Sequence, residues 1–139
     1  MLYRTLMFMS CVACHTPRPI LLALGWVLGN LYYLIIAKMR RRAVAHMMPA
    51  LGIDEAAAKK LVRASFINMA RNFLDILAMP MLNERNFRDY IEIDHLERMQ
   101  EALAEGHGVV VLTGHIGCWE WLSAAFTLNG MPVSAIAKP

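Results

Sequence analysis

Residues 108–120, GVVVLTGHIGCWE, carry the strongest fold signal in this sequence. The stretch begins with an apolar, largely β-branched run at residues 109–112, which is typical of a central strand buried in a parallel sheet. Gly114 and Gly117 come directly after it and favour a tight turn. The stretch therefore predicts a buried strand that ends in a glycine-rich turn.

The sequence after this turn predicts a helix and a second strand. Residues 119–128 have helical character and end at Asn129-Gly130. Residues 133–137 then form an apolar run with strand character. Strand, helix and strand at this spacing form a βαβ unit with a right-handed crossover. We therefore expect an α/β fold. Because such a sheet needs further strands to cover its faces, we expect the chain to hold only the start of the core, as a fragment or a truncated reading frame.

Two helices are predicted upstream of residues 108–120. The first begins at Asp54, runs to about Met79 with apolar residues at helical spacing, and ends before Pro80. After a short predicted strand at residues 90–93, a capping box of Asp94 and Glu97 predicts a second helix, which stops at Gly106.

The composition and one apolar segment indicate membrane contact. Hydrophobic residues make up 58% of the 139 residues and charged residues 18%, whereas soluble domains average about 45–50% and about 25%. Residues 20–37 carry no charge, and the length of this run is close to what a membrane span needs. A buried or half-inserted helix is the alternative. The basic cluster KMRRR at residues 38–42 comes immediately after, attracts anionic lipids and predicts a cytoplasmic location for the rest of the chain.

These segments give a division into four regions. Residues 1–19 are an N-terminal extension and residues 20–37 a hydrophobic membrane helix. Residues 38–89 form a basic, amphipathic helical region, and residues 90–139 form the first part of the α/β core.

The candidate chemical site is the pair His115 and Glu120. His115 lies at the carboxyl end of the predicted strand, where open α/β sheets bind ligands. A neutral imidazole can accept a proton from a hydroxyl, and a carboxylate can orient that imidazole. Backbone N–H groups of Gly117 and Cys118 could stabilise an oxyanion. The alternative is a structural histidine at a strand end with a solvated glutamate.

We expect neither a metal nor another cofactor. Two alternative hypotheses would involve one, a metal ion in the first case and a haem in the second. His107, His115 and Cys118 could bind a metal, although they lack a standard ligand spacing. Cys11, Cys14 and His15 form a C-x-x-C-H pattern, the signature of covalent haem attachment, within an otherwise plain apolar stretch.

Residues 90–139 resemble the bacterial lipid A biosynthesis acyltransferases, within the lysophospholipid acyltransferase-like superfamily. Residues 93–96 and 102–106 resemble the helix that leads into the family's core, and residues 108–113 resemble its core strand. Residues 114–120 resemble its H-x-x-x-x-[DE] block, often His-Phe-Gly-Asn-Trp-Glu, with Cys118 in place of the usual Asn. The hydrophobic N-terminal helix and residues 64–73 also resemble the family, more loosely.

The resemblance implies transfer of a fatty acyl group from acyl carrier protein to a hydroxyl of a lipid A precursor or related glycolipid. His115 would be the general base and Glu120 its orienting partner, in an enzyme of the inner membrane with its catalytic part on the cytoplasmic side. It implies no nucleic-acid partner. Because the chain has only about half of the family's usual length, the alternative is an inactive remnant or a membrane-attached, non-catalytic module.

Overall fold

The computed structural model describes residues 2–136, and the regular structure in these residues is helical. The chain divides into two compact units, Met1–Ala78 and Met79–Pro139. The first unit contains four helices: α1 (Leu2–His15), α2 (Arg18–Ile35), α3 (Ala37–Leu51) and α4 (Glu55–Ala78). The second contains α5 (Leu96–Ala104), α6 (Glu120–Leu128) and two short 3-10 helices, Met79–Met81 and Phe87–Asp89.

Helix α4 is the centre of the first unit, because α1, α2 and α3 all pack against it. Its start agrees with the sequence prediction: Oδ1 of Asp54 accepts a hydrogen bond from the backbone N–H of Ala57 at 2.7 Å. Its end at Ala78 also agrees, since Pro80 cannot continue the hydrogen-bond ladder.

Helices α2 and α4 run antiparallel and approach closely at two glycines of α2. A Cβ atom on Gly25 would lie 2.6 Å from Cγ of Arg71, and one on Gly29 would lie 2.4 Å from Cα of Ile67. Small residues four positions apart on one helix face let two backbones come this close. Gly25 and Gly29 therefore form the surface of α2 that packs against α4.

The core of the first unit lies where α3 and α4 meet. Its buried cluster consists of Val44, Ala58, Val62 and Phe66. The rings of Tyr32 and Tyr33 pack on Phe66, with centroids 5.4 Å and 5.7 Å away. The buried residues of α4 thus belong to the apolar stripe that their helical spacing in the sequence predicted.

Much of the surface of α1 and α2 is apolar and exposed. On α2 the exposed side chains include Ile20, Val27, Leu31, Leu34 and Ile35. By length and composition α2 is a candidate membrane span, a test that buried core helices and signal sequences also pass. Only 17% of its apolar window is buried within the structure, which sets α2 apart from an ordinary core helix.

The second unit packs around Trp121 and Phe126 of α6, with Phe87 and Met131 also buried. The ring of Trp121 meets Tyr90 edge to face at 6.2 Å. The predicted end of α6 is confirmed: Gly130 has φ 78°, and Met131 and Gly130 donate to the carbonyls of Phe126 and Thr127, the two bonds of a Schellman motif.

The α/β prediction is wrong for the part of the chain that is described, because residues 2–136 contain no strand. Residues 109–112 are irregular, and Val110 and Leu112 are 88% and 93% exposed. A strand needs a neighbour that completes its backbone hydrogen bonds, and no described segment pairs with this run. The predicted βαβ unit and its right-handed crossover are therefore not formed.

The two other predicted strands are also corrected. Tyr90 and Ile91 both donate to the carbonyl of Phe87, so residues 90–93 begin with a turn. Residues 133–136 are irregular and exposed, and Ala137 lies outside the described residues. β-Branched and alternating apolar residues favour a strand only where neighbouring strands pair with them and bury one of their faces.

The capping box at Asp94 and Glu97 is wrong as well. The residue before α5 is His95, in the left-handed conformation with φ 57°, and it makes no side-chain cap bond. Glu97 instead contacts the ring of His95, with Oε1 3.1 Å from Nδ1. The predicted stop at Gly106 is confirmed, since Gly106 has φ 80° and donates to the carbonyl of Leu103.

Candidate active site

The candidate site lies in the segment that joins α5 to α6. Besides Gly106, two glycines in this segment, Gly108 and Gly117, have positive φ values, of 74° and 63°. These left-handed conformations suit glycine, because a Cβ atom would meet the neighbouring carbonyl. The two glycines thus redirect the backbone before and after the histidine of the motif.

His115 is held in a tight turn. The backbone N–H of Ile116 donates to the carbonyl of Gly114 at 2.8 Å, which closes a three-residue turn around His115. Its exposed imidazole meets the ring of Trp119 edge-on, with centroids 5.1 Å apart and planes at 60°. The ring is therefore packed on one side and open to solvent on the other.

Glu120 is the first residue of α6 and is half-buried. A carboxylate is favoured at this position by the partial positive charge of the helix N-terminus. Sγ of Cys118 donates to Oε2 of Glu120 at 3.9 Å, a long contact typical of a weak thiol donor. The hydroxyl of Ser123 donates a hydrogen bond to the backbone carbonyl of Glu120 at 2.8 Å, so it bonds within the first turn of α6.

His115 and Glu120 border the same short segment, but their side chains do not form a direct hydrogen bond in the described residues. Within residues 2–136 neither a hydrogen bond nor an ion pair joins their side chains. Hydrogen bonds between catalytic groups are often long before substrate binds and tighten in the complex. The roles of base and orienting partner stay predictions.

The predicted oxyanion donors lie directly before α6. Gly117 adopts φ 63°, and the space beside its Cα is open. Cys118 is the next residue and accepts, through its carbonyl, the N–H of Trp121. Backbone N–H groups near a helix start are suited to a developing negative charge. The assignment of Gly117 and Cys118 to this task also stays a prediction.

Neither cofactor hypothesis gains support from the geometry. Within the described residues, His107, His115 and Cys118 do not assemble into a group that could hold a metal ion. In α1, Sγ of Cys14 lies 3.7 Å from the carbonyl of Ala78 at the end of α4, whereas Cys11 is exposed. Cys14 thus takes part in the packing of α1 against α4.

The structure places Trp119 against His115, and it places Lys60 and Arg63 together along one groove. The sequence analysis predicted neither arrangement. Trp119 is only the start of a helix in the sequence prediction, although its spacing of four from His115 could have signalled the ring contact. Lys60 and Arg63 interrupt the apolar stripe of α4. Their spacing of three on this helix could have signalled a shared basic surface.

A sequence model of the family described as bacterial lipid A biosynthesis acyltransferase matches residues 2–139. The chain belongs to this family. The match confirms the resemblance and also takes in most of residues 1–19, the predicted N-terminal extension. No curated protein and no solved structure matches the chain significantly. Family membership supports acyl transfer in lipid A biosynthesis as the general activity.

Proposed function

We propose that the chain takes part in transfer of a fatty acyl group from acyl carrier protein to a hydroxyl of a lipid A precursor or related glycolipid. The observation that carries the proposal is the family match, which includes the motif with His115 and Glu120. The exposed imidazole in its tight turn and the carboxylate at the start of α6 support it.

In the proposed reaction the imidazole of His115 removes the proton of the acceptor hydroxyl. The oxygen attacks the thioester carbonyl of the acyl donor, and the resulting oxyanion is stabilised by N–H groups near Gly117 and Cys118. The carbon–sulfur bond then breaks, and the thiolate takes the proton from the imidazolium. Glu120 stabilises the charged imidazole and fixes its orientation when the two groups close together.

The proposed location is the inner membrane, with the site on the cytoplasmic side. The apolar and largely exposed helix α2 supports attachment to a bilayer. Four cations, at Lys38, Arg40, Arg41 and Arg42, lie within the first two turns of α3. Basic residues that flank a span are typically retained on the cytoplasmic face.

A second candidate function is that of a membrane-attached, non-catalytic module. The exposure of Val110 and Leu112 favours it, because the segment that leads to His115 is not held by a packed core in the described residues. Catalysis needs the reacting groups fixed in a productive geometry. Under this alternative the chain has membrane attachment but no turnover.

Acyl transfer measured on membranes that contain this chain distinguishes the two functions. Acyl carrier protein charged with a fatty acid and a lipid A precursor are supplied, and wild type is compared with His115→Ala and Glu120→Gln. His107→Ala is the matched control, because it removes another exposed histidine from the same segment. We expect about a 10²–10⁴-fold loss in His115→Ala and little change in the control. Equal transfer by His115→Ala would refute its role, and no transfer by wild type would favour the non-catalytic module.

A further inference from the structure

An open groove of about 460 Å³ lies between α2 and α4, in the unit Met1–Ala78. One side is aromatic and apolar and the other is basic. The lining residues are Trp26, Asn30, Tyr33, Leu34, Lys59, Lys60 and Arg63. The lining residues belong to the unit Met1–Ala78, whereas His115 and Glu120 belong to the unit Met79–Pro139.

A short chain of hydrogen bonds orients the cation at Arg63. The side-chain amide of Asn30 donates to the carbonyl of Trp26 at 2.7 Å, which fixes its oxygen. That oxygen accepts the Nε–H of Arg63 at 2.6 Å. A guanidinium has five N–H donors, so four are left that can serve an anionic ligand. The bond to Asn30 therefore holds Arg63 at the groove and leaves most of its donors available.

The basic side of the groove extends along α4 and onto α3. Lys60 is exposed beside Arg63, while Lys59 is partly neutralised by Glu55, with Nζ and Oε1 2.7 Å apart. Lys59 also lines a second groove of about 410 Å³, together with Arg40 and Arg41 of α3. The two grooves share Lys59, and Glu55 is the single carboxylate among their lining residues.

The apolar side of the groove joins the exposed apolar face of α2. Trp26 and Leu34 line the groove and are themselves exposed, and Leu31 and Ile35 continue the apolar surface along the helix. A ligand that fits both sides must therefore carry a negatively charged head and a hydrocarbon tail. An amphiphilic indole at such a boundary is typical of residues at a membrane interface.

We propose that this groove binds one anionic glycerophospholipid of the membrane, with its phosphate at Lys60 and Arg63 and an acyl chain along Trp26 and Leu34. The inference rests on the proposed membrane attachment of α2. Charge complementarity identifies the occupant: a zwitterionic lipid would bring a cation next to Lys60, whereas an anionic headgroup meets only donors there.

Native mass spectrometry of the full chain in detergent tests this site with phosphatidylglycerol and phosphatidylcholine of identical acyl chains. The variant Lys60→Gln/Arg63→Gln is compared with Arg85→Gln/Arg98→Gln, which removes the same charge from exposed positions that line neither groove and lie outside the basic cluster at residues 38–42. We expect the first variant to bind phosphatidylglycerol about thirtyfold more weakly, and the second to bind like wild type. Wild type should prefer phosphatidylglycerol to phosphatidylcholine. Circular dichroism of each variant confirms that the helices are retained.

Several outcomes would overturn the site. Equal losses in both double variants would mean that only overall charge matters, and equal affinity for the two lipids would mean that the headgroup is not recognised. Displacement of the lipid by inorganic phosphate at the same concentration would indicate a simple anion site. Unchanged lipid binding with weaker binding of acyl carrier protein in Lys60→Gln/Arg63→Gln would indicate a protein partner.

The binding result is independent of the acyl-transfer result. Lipid selectivity that is retained in His115→Ala supports the groove whether or not the chain turns over. Loss of lipid binding in Lys60→Gln/Arg63→Gln, with transfer still dependent on His115, supports both assignments. Absence of lipid selectivity in a chain that transfers acyl groups would refute the groove alone.

Discussion

Nη1 of Arg18 lies 2.7 Å from Oδ1 of Asp75, and the side chain of Asp75 is only 11% exposed. Arg18 is in the first turn of α2 and Asp75 in the last turn of α4. Each charge is at the end of its helix that the helix dipole disfavours. Their pairing offsets both penalties and brings the N-terminus of α2 to the C-terminus of α4.

We expect Asp75→Asn to lower the free energy of unfolding by about 1–3 kcal/mol. The substitution removes the negative partner and leaves the Arg18 cation beside the positive end of its own helix. Thermal or denaturant unfolding of the chain in detergent, followed by circular dichroism, measures the change. The control is Glu55→Gln, which breaks the exposed ion pair with Lys59 and should cost less than about 1 kcal/mol. Equal losses in the two variants would contradict a structural role for the Arg18 pair.

We expect Gly29→Ala to destabilise the first unit by about 1–3 kcal/mol, although alanine is the better helix former by about 0.5–1 kcal/mol. The added Cβ would lie 2.4 Å from Cα of Ile67, and a backbone atom cannot move aside without separating α2 from α4. The matched control is Ala23→Leu on the exposed surface of α2, which should leave the unfolding midpoint nearly unchanged. An unchanged or raised midpoint in Gly29→Ala would show that the two helices do not depend on this approach.

In the second unit we expect Trp121→Ala to cost about 3–5 kcal/mol, the usual range for deletion of a buried aromatic side chain. Trp121 is buried and packs edge to face on Tyr90, so the deletion removes both burial and a ring contact. Trp119→Ala is the control, because this neighbouring ring is much more exposed. Unfolding of the unit is followed by near-ultraviolet circular dichroism. A smaller loss in Trp121→Ala than in Trp119→Ala would contradict the packing described for α6.

Helices α4 and α6 could be predicted from the sequence because their signals are local. Asp54 and Pro80 define the two ends of α4, and Gly130 ends α6, each through contacts within a few residues. The strand at residues 109–112 could not be decided in this way. Its β-branched residues favour an extended backbone, but a strand forms only with a distant segment that supplies the matching N–H and C=O groups.

The sequence motif predicts which residues form the candidate site, but it does not specify their geometry. The motif contains His115 and Glu120, and the family match covers both residues. Their catalytic roles stay predictions. Their relative orientation depends on Gly117, whose left-handed φ turns the backbone between them and which spacing alone does not specify. The contact between His115 and Trp119 depends on the same turn. Closeness in sequence therefore does not by itself join the two side chains by a hydrogen bond.

The ring contact between His115 and Trp119 indicates that Trp119 positions the imidazole for the proposed transfer. We expect Trp119→Ala to lower kcat about tenfold to a hundredfold with little change in KM, because a small misplacement of a reacting group is costly. Trp119→Phe keeps an aromatic edge against the imidazole and should recover most of the rate. The readouts are acyl transfer and the NMR resonance of the His115 ring, which loses the ring-current shift of the indole in Trp119→Ala. Equal losses of rate in the two variants, or an unmoved His115 resonance, would show that Trp119 does not act through His115.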